Sequence, residues 1–246
     1  MKGLAAAWGR VKARAFPAGA IMFHLAAWSR GALSGDEAAV ARGLLGRHGF
    51  ERLLVLHASA VRIGSETVVL AGPRGVGKST ACRALERRGE ATLVEDGLVL
   101  VGEADGRWTL VETGTLEVLR HAAVIAASLR RLLPRSAKPA GESAGRWREA
   151  LRSHLLGFLD GVAFKGGVLV AGRQRREFVP RLYPVHRVVV VDSLDGAQPC
   201  YETDGHTLTV IAELGARIPD GVVLARAAST GPPARVRAGL TEALLG

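Results

Sequence analysis

Residues 68–80 read Val-Val-Leu-Ala-Gly-Pro-Arg-Gly-Val-Gly-Lys-Ser-Thr, and this segment indicates the type of fold. An apolar run, typical of a buried strand, leads directly into residues 72–79, which match the pattern G-x-x-x-x-G-K-[ST] in full. The backbone N–H groups of such a loop form a concave anion site, and the helix that follows points its N-terminus at the same phosphates. We therefore predict a nucleotide-binding loop between a strand and a helix.

The pattern assigns a ligand to each part of this loop. Its lysine reaches the β- and γ-phosphates of a nucleotide, and the hydroxyl that follows the lysine binds Mg²⁺. The predicted nucleotide-binding residues are Gly72, Pro73, Arg74, Gly75, Val76, Gly77, Lys78, Ser79 and Thr80.

Strands and helices alternate around the loop. The apolar residues 52–59 predict a strand, and a tight turn at 63–66 joins it to the strand at 67–71. Two strands joined this closely should be antiparallel, because a parallel pair needs a crossover of about a dozen residues. After the loop, the pattern predicts a helix over 79–88 that ends at a glycine, and then a strand over 91–95.

The whole chain is expected to be an α/β protein. Capping residues indicate a helix over 36–47, within an N-terminal helical extension that we place at residues 1–50. The nucleotide-binding domain is predicted over residues 51–246. Prolines and glycine at 134–141 indicate a mobile loop, which could close over the site as a lid or simply connect two helices.

Length and composition exclude several classes of protein. With 246 residues, of which 48% are hydrophobic, the chain can bury a sizeable core without a disulfide or a metal. Cys82 and Cys200 are too far apart in sequence for a metal-binding motif and are typical of a reducing compartment. The sequence suggests neither a signal peptide nor a membrane span, so we predict a cytoplasmic protein without a membrane partner.

The positive charge has two interpretations. The chain carries 33 Lys and Arg against 23 Asp and Glu, a net charge of +10, and such an excess can serve nucleic acid or another anion. The basic runs at 130–135 and 173–177 contain no interleaved aromatic residues. We therefore favour a solvated basic surface and expect no nucleic-acid partner.

Three ionisable residues near the loop are candidates for chemistry. His57 lies in the predicted hairpin, and Glu95 and Asp96 end the strand that follows the helix, with Asp96 eighteen residues after Lys78. Two acids at a strand end can hold Mg²⁺ or accept a proton from a substrate hydroxyl. The alternative interpretations are a polar turn before Gly97 and a histidine satisfied within the core.

Four segments together resemble the catalytic core of the HPr kinase/phosphorylase family. They are residues 56–64 (Leu-His-Ala-Ser-Ala-Val-Arg-Ile-Gly), the loop at 68–80, residues 85–89 (Leu-Glu-Arg-Arg-Gly) and residues 93–97 (Leu-Val-Glu-Asp-Gly). Such proteins show a histidine, a hairpin, the phosphate loop, a helix that ends in Arg-Gly, and a pair of acids, in this order. The resemblance covers about 53–101.

The resemblance implies a fold and an activity. The fold is the P-loop sheet that HPr kinases share with phosphoenolpyruvate carboxykinases, and the activity is ATP- and Mg²⁺-dependent phosphorylation of a serine hydroxyl. The family usually has two aspartates where this chain has Glu and Asp, which leaves open which acid is the base. The implied catalytic residues are His57, Lys78, Glu95 and Asp96, and the implied metal ligands are Ser79, Glu95 and Asp96.

Two differences from the family limit how many of its properties can be expected of this chain. Neither its second signature, rich in glycine and isoleucine, nor its N-terminal domain is recognisable, so we expect a shortened stand-alone relative for which HPr itself is not the substrate. The leading hypothesis is a kinase that binds ATP and a hydroxyl acceptor, on a peptide, a protein or a small metabolite. The alternative is a nucleotide-binding regulatory or assembly module with slow or no hydrolysis. A homo-oligomer is compatible with either.

Overall fold

The computed structural model describes residues 35–73, 75–131, 155, 180–192, 200–228 and 233–246. The chain divides into two units. Unit 1 comprises Met1–Ala15 and Glu117–Glu177, and unit 2 comprises Phe16–Leu116 and Phe178–Gly246. The predicted loop at 134–141 and most of the N-terminal extension lie outside the described residues, so these expectations stay predictions.

The described helices and strands follow one another in this order along the chain: α1 (Gly35–His48), β1 (Arg52–Leu56), β2 (Ala58–Ile63), β3 (Glu66–Ala71), α2 (Lys78–Arg88), β4 (Thr92–Asp96), β5 (Val99–Ala104), β6 (Arg107–Glu112), α3 (Thr115–Arg131), β7 (Arg181–Pro184), β8 (Arg187–Asp192), β9 (Cys200–Thr203), β10 (Thr209–Val210), a 3-10 turn (Leu214–Arg217), β11 (Val223–Ala228) and α4 (Pro233–Leu245). All belong to unit 2 except α3, which begins in unit 2 and continues into unit 1. None of the helices among these residues is long and apolar enough to span a bilayer.

A five-stranded sheet carries the loop, in the order β11-β8-β3-β2-β4. Strands β3, β8 and β11 are parallel, whereas β2 is antiparallel to both β3 and β4. The predicted hairpin is confirmed, because Ala58 pairs with Ala71 and Ile63 with Glu66. The parallel strand β3 therefore delivers the loop at its carboxyl end, beside the end of β8.

The first predicted strand is divided between two sheets. The chain breaks at His57, so that β1 joins a six-stranded antiparallel sheet in the order β10-β9-β1-β5-β6-β7, while β2 belongs to the five-stranded sheet. The prediction of one strand over 52–59 was wrong, because both halves are apolar and the hydrophobic pattern contains no signal for a change of sheet.

Three buried clusters hold unit 2 together. The side chains between the two sheets include Leu54, Leu56, Val69, Trp108 and Val188. On the opposite face of the five-stranded sheet, residues of β2, β3 and β8 pack against α2 and α4. On the outer face of the six-stranded sheet, α1 contributes Ala41 and Leu44. Because both faces of the five-stranded sheet are covered, its strands are apolar on both sides, as is usual for a parallel sheet.

Candidate functional site

The phosphate loop has the backbone geometry that an anion site requires. Gly75 and Gly77 have φ values of 86° and 95°, which are in the left-handed region that only glycine adopts without strain. Helix α2 begins directly after Gly77, and among the described residues no side chain caps it and no acid occupies its first turn. A helix N-terminus that follows left-handed glycines presents its N–H groups to a phosphate, so these residues fit a nucleotide.

The first glycine of the loop allows a close approach between neighbouring strands. A methyl group at Gly72 would lie 2.8 Å from Cβ of Val191, in β8. The backbone N–H of Gly72 donates to the carbonyl oxygen of His57 at 3.3 Å, which ties the loop to the break between β1 and β2. The backbone of His57 therefore lies beside the start of the loop, and the role of its side chain in transfer stays a prediction.

Lys78 lies within the loop, and its side chain is buried. Its Nζ donates to the carbonyl oxygens of Gly72 and Pro73, both at 2.7 Å. Burial lowers the pKa of Lys78 to about 8, and the negative charge of Asp96 opposes this shift. An ammonium group that is poorly solvated and surrounded by loop carbonyls interacts strongly with a phosphate, because the local dielectric is low.

This pKa predicts how nucleotide affinity depends on pH. Because its pKa is about 8, Lys78 is mainly charged below pH 8 and mainly neutral above it. Nucleotide phosphates lose their last proton at lower pH, so they do not titrate between about pH 7 and 9. We expect the affinity for ADP to fall by no more than about twofold between pH 7 and 8 and by up to about tenfold per pH unit well above 8. Equilibrium titrations would measure it, with Lys78→Met as the control that should lose the slope. The same slope in both proteins would contradict the prediction.

Asp96 faces the loop and binds its serine. Its Oδ1 accepts hydrogen bonds from Oγ of Ser79 at 2.6 Å and from Oγ of Ser59 at 2.7 Å. Its Oδ2 accepts one from Nη2 of Arg83 at 2.9 Å. Ser59 pairs directly with Asp96 across β2 and β4, so the two side chains share a face of the sheet. One carboxylate thus connects the hairpin, the loop and α2.

The carboxylate of Glu95 does not contact the described residues of the phosphate loop but binds residues 113–116. Its Oε1 accepts hydrogen bonds from the backbone N–H of Thr113 at 2.5 Å, from Oγ1 of Thr113 at 2.9 Å and from the N–H of Gly114 at 2.9 Å, and its Oε2 accepts one from the N–H of Leu116 at 3.3 Å. Burial raises the pKa of Glu95 to about 7, against the effect of these hydrogen bonds. Its carboxylate caps the segment that begins α3, so the expectation that Glu95 shares the loop with Asp96 was wrong.

The oxygen atoms at the loop fit a magnesium ion. Mg²⁺ prefers oxygen ligands and usually keeps several waters, with one or two protein groups and the substrate phosphates completing its shell. Oγ of Ser79 and Oδ1 of Asp96 lie 2.6 Å apart and could serve as these two protein ligands. The described residues contain no group of three or more His, Cys, Asp or Glu that could hold a metal by themselves. Glu95, which we also expected as a ligand, has its carboxylate directed at residues 113–116 instead.

The role of two residues of the site was not predicted from the sequence. Ser59 and Arg83 both bind Asp96, one from β2 and the other from α2. Arg83 could have been predicted from its distance in sequence to Ser79, because a residue four positions further along a helix lies on the same side of it. No comparable signal existed for Ser59, whose pairing with β4 depends on the sheet order. Arg74, also predicted at the loop, is outside the described part of the chain.

One comparison with known proteins, the match to a family model, agrees with the nucleotide site. The AAA ATPase domain family matches residues 44–225, which is most of the chain. Among solved structures, the chain is similar to the Hpr(Ser) kinase/phosphatase from Coxiella burnetii, with 14% sequence identity over 78% of this chain and 90% of that chain. The TM-score of 0.31 is too low to support a shared fold. The comparison with curated proteins gives no match. By its family match, the chain belongs to the AAA ATPase domain family, whose members are P-loop ATPases.

Proposed function

We propose that this protein is an ATP- and Mg²⁺-dependent phosphotransferase that transfers the γ-phosphoryl group to a hydroxyl. The acceptor would be a serine of a peptide or protein, or a small metabolite. The observation that carries the proposal is the 2.6 Å contact between Asp96 and Ser79, which places a buried carboxylate at the phosphate loop. The resemblance of residues 53–101 to HPr kinases supports the same activity.

Each group of the loop has one task in this proposal. The N–H groups at the start of α2 and the ammonium of Lys78 bind the phosphates and neutralise the charge that develops during transfer. When bound, Mg²⁺ supplies further charge neutralisation, and Ser79 and Asp96 are the residues that would hold it. His57, beside Gly72, is the proposed neighbour of the transferred group.

Asp96 is also the proposed base. With Glu95 bound to residues 113–116, Asp96 is the member of the acid pair whose carboxylate reaches the loop. A carboxylate there can orient the acceptor hydroxyl and take its proton as the oxygen attacks the phosphorus. General base catalysis of this kind contributes about 10²- to 10⁴-fold in rate.

Hydrolysis of ATP by water is the second candidate function. The match to the AAA ATPase domain favours it, and the loop, Lys78 and Asp96 would serve a water molecule as well as a hydroxyl. A regulatory module with slow turnover is the limiting case of this candidate.

The fate of the γ-phosphate separates the candidates. The protein would be incubated with Mg²⁺ and ATP labelled at the γ-phosphate, with and without a pool of serine-containing peptides, and phosphoesters would be separated from inorganic phosphate. A labelled phosphoester that is absent with Asp96→Asn supports the kinase. Label found wholly in inorganic phosphate under both conditions supports hydrolysis and contradicts the kinase acting on peptides. A small-metabolite acceptor would be tested in the same way with cell-extract metabolites.

A further inference from the structure

We propose that Arg83 is a positioning residue of the site, whose guanidinium holds the carboxylate of Asp96 in the orientation that keeps one oxygen on Ser79. The inference rests on the proposed function and deepens it, because Arg83 would act through the acid that the proposal uses. The G-x-x-x-x-G-K-[ST] pattern ends at Ser79 and assigns no role to position 83.

Burial makes a cation necessary beside Asp96. The side chain of Asp96 is 3% exposed, and a buried carboxylate is costly unless it is paired and hydrogen-bonded. Arg83 is its ion-pair partner in the described part of the chain, at 2.9 Å. Lys78 also acts on Asp96 electrostatically, but the hydrogen bonds of its ammonium go to the carbonyls of Gly72 and Pro73. Arg83 is therefore the cation that contacts the carboxylate.

The two oxygens of the Asp96 carboxylate have different partners, and this allows Arg83 to restrain the orientation of the carboxylate. Oδ1 accepts from Ser59 and Ser79, whereas Oδ2 accepts from Arg83. The last torsion of an aspartate is broad and moves both oxygens together, so a donor on Oδ2 adds a restraint to the hydrogen bonds on Oδ1. A donor on Oδ2 fixes the plane of the group, and Oδ1 then stays directed at Ser79.

The helix couples this contact to the loop. Ser79 and Arg83 are one turn apart on α2 and reach the same carboxylate, so α2 holds Asp96 at two points. The side chain of Arg83 is 52% exposed, which means that solvent screens much of its charge. Its effect should therefore come mainly through geometry, and small cations from solution should be able to reach its place.

Kinetics test the first part of this proposal. Arg83→Ala should lower kcat for ATP turnover by about 10- to 100-fold, because a misplaced catalytic group costs about this much, while KM for ATP changes by less than about threefold. Arg83→Lys should retain part of the activity, since lysine keeps the charge but lacks the planar fork. Guanidinium ion should restore part of the loss in Arg83→Ala, and sodium at equal ionic strength should not.

Arg87→Ala is the matched control. Arg87 is an exposed residue one turn further along α2, and its Nε donates to the backbone carbonyl of Arg83. The control should turn over like the unmodified protein and should not respond to guanidinium. An unchanged kcat in Arg83→Ala, or equal losses in the two variants, would overturn the proposal.

Two further measurements separate this proposal from the proposed function. If Arg83 acts through Asp96, Arg83→Ala should cause no additional loss in the Asp96→Asn background, and an equal loss in both backgrounds would overturn it. A crystal structure of Arg83→Ala should show the carboxylate of Asp96 turned away from Ser79, whereas a retained 2.6 Å contact would overturn it. If the unmodified protein shows no turnover, the proposed function fails and this structure still decides the role of Arg83.

Discussion

Lys78→Ala is expected to reduce ATP turnover by about 10²-fold or more and to weaken nucleotide binding at the same time. Lys78 is buried in the loop, and its pKa of about 8 leaves it charged at neutral pH. The loop pattern assigns to this lysine the contact with the β- and γ-phosphates. The loss should therefore appear in both kcat and the affinity for ADP, as measured by steady-state kinetics and equilibrium binding.

Folding must be checked separately for this variant. The ammonium of Lys78 donates to the carbonyls of Gly72 and Pro73, so alanine also leaves one buried and one partly buried acceptor without their donor. Thermal unfolding would show whether the loop survives, and Lys78→Met would show whether packing alone restores stability without restoring activity. Near-normal turnover in a folded Lys78→Ala protein would contradict both candidate functions.

Asp96→Asn and Glu95→Gln are expected to have opposite consequences, although the residues are adjacent in sequence. Asp96→Asn should lower turnover by about 10²- to 10⁴-fold while the protein still binds ADP, because the amide neither takes a proton nor binds Mg²⁺ as a carboxylate does. A raised Mg²⁺ requirement in this variant would indicate that Asp96 holds the metal. An unchanged Mg²⁺ requirement with the same loss of turnover would indicate that Asp96 acts as the base and does not hold the metal.

Glu95→Gln should instead change stability. Both oxygens of Glu95 accept hydrogen bonds, and an amide would direct an N–H group at one of the N–H donors among residues 113–116. Leaving a buried donor unsatisfied costs about 1–3 kcal/mol, which thermal unfolding would detect as a lower Tm. Turnover per folded molecule should stay close to that of the unmodified protein. Loss of turnover at unchanged Tm would contradict the placement of Glu95 away from the reaction.

The loop, its helix and the hairpin could be predicted because their signals are local. Gly75 and Gly77 occupy the positions that need positive φ, and the helix ends at Gly89, which also has a positive φ of 73°. Steric preferences of this kind act between neighbours in the chain, so they are visible in the sequence. The antiparallel pairing of β2 with β3 followed from the short turn alone.

The roles of the two acids could not be predicted in this way. Side chains alternate along a strand, so Glu95 and Asp96 had to point to opposite faces of β4. The sequence would indicate which face of β4 lies against the loop only if the residues on one of its two faces were polar. Both faces of β4 are covered, and residues 93–96 are all buried.

Local signals in the sequence were thus sufficient to predict the phosphate loop, the strand before it, the helix after it and an acid pair near by. The contacts of Asp96 with Ser79, of Glu95 with the start of α3, and of Ser59 and Arg83 with Asp96 became visible in the folded chain alone. The two groups of features differ in the range of the interactions that produce them. Backbone conformation follows from adjacent residues, whereas these contacts depend on sheet order, on the break at His57 and on which layer covers each face of β4.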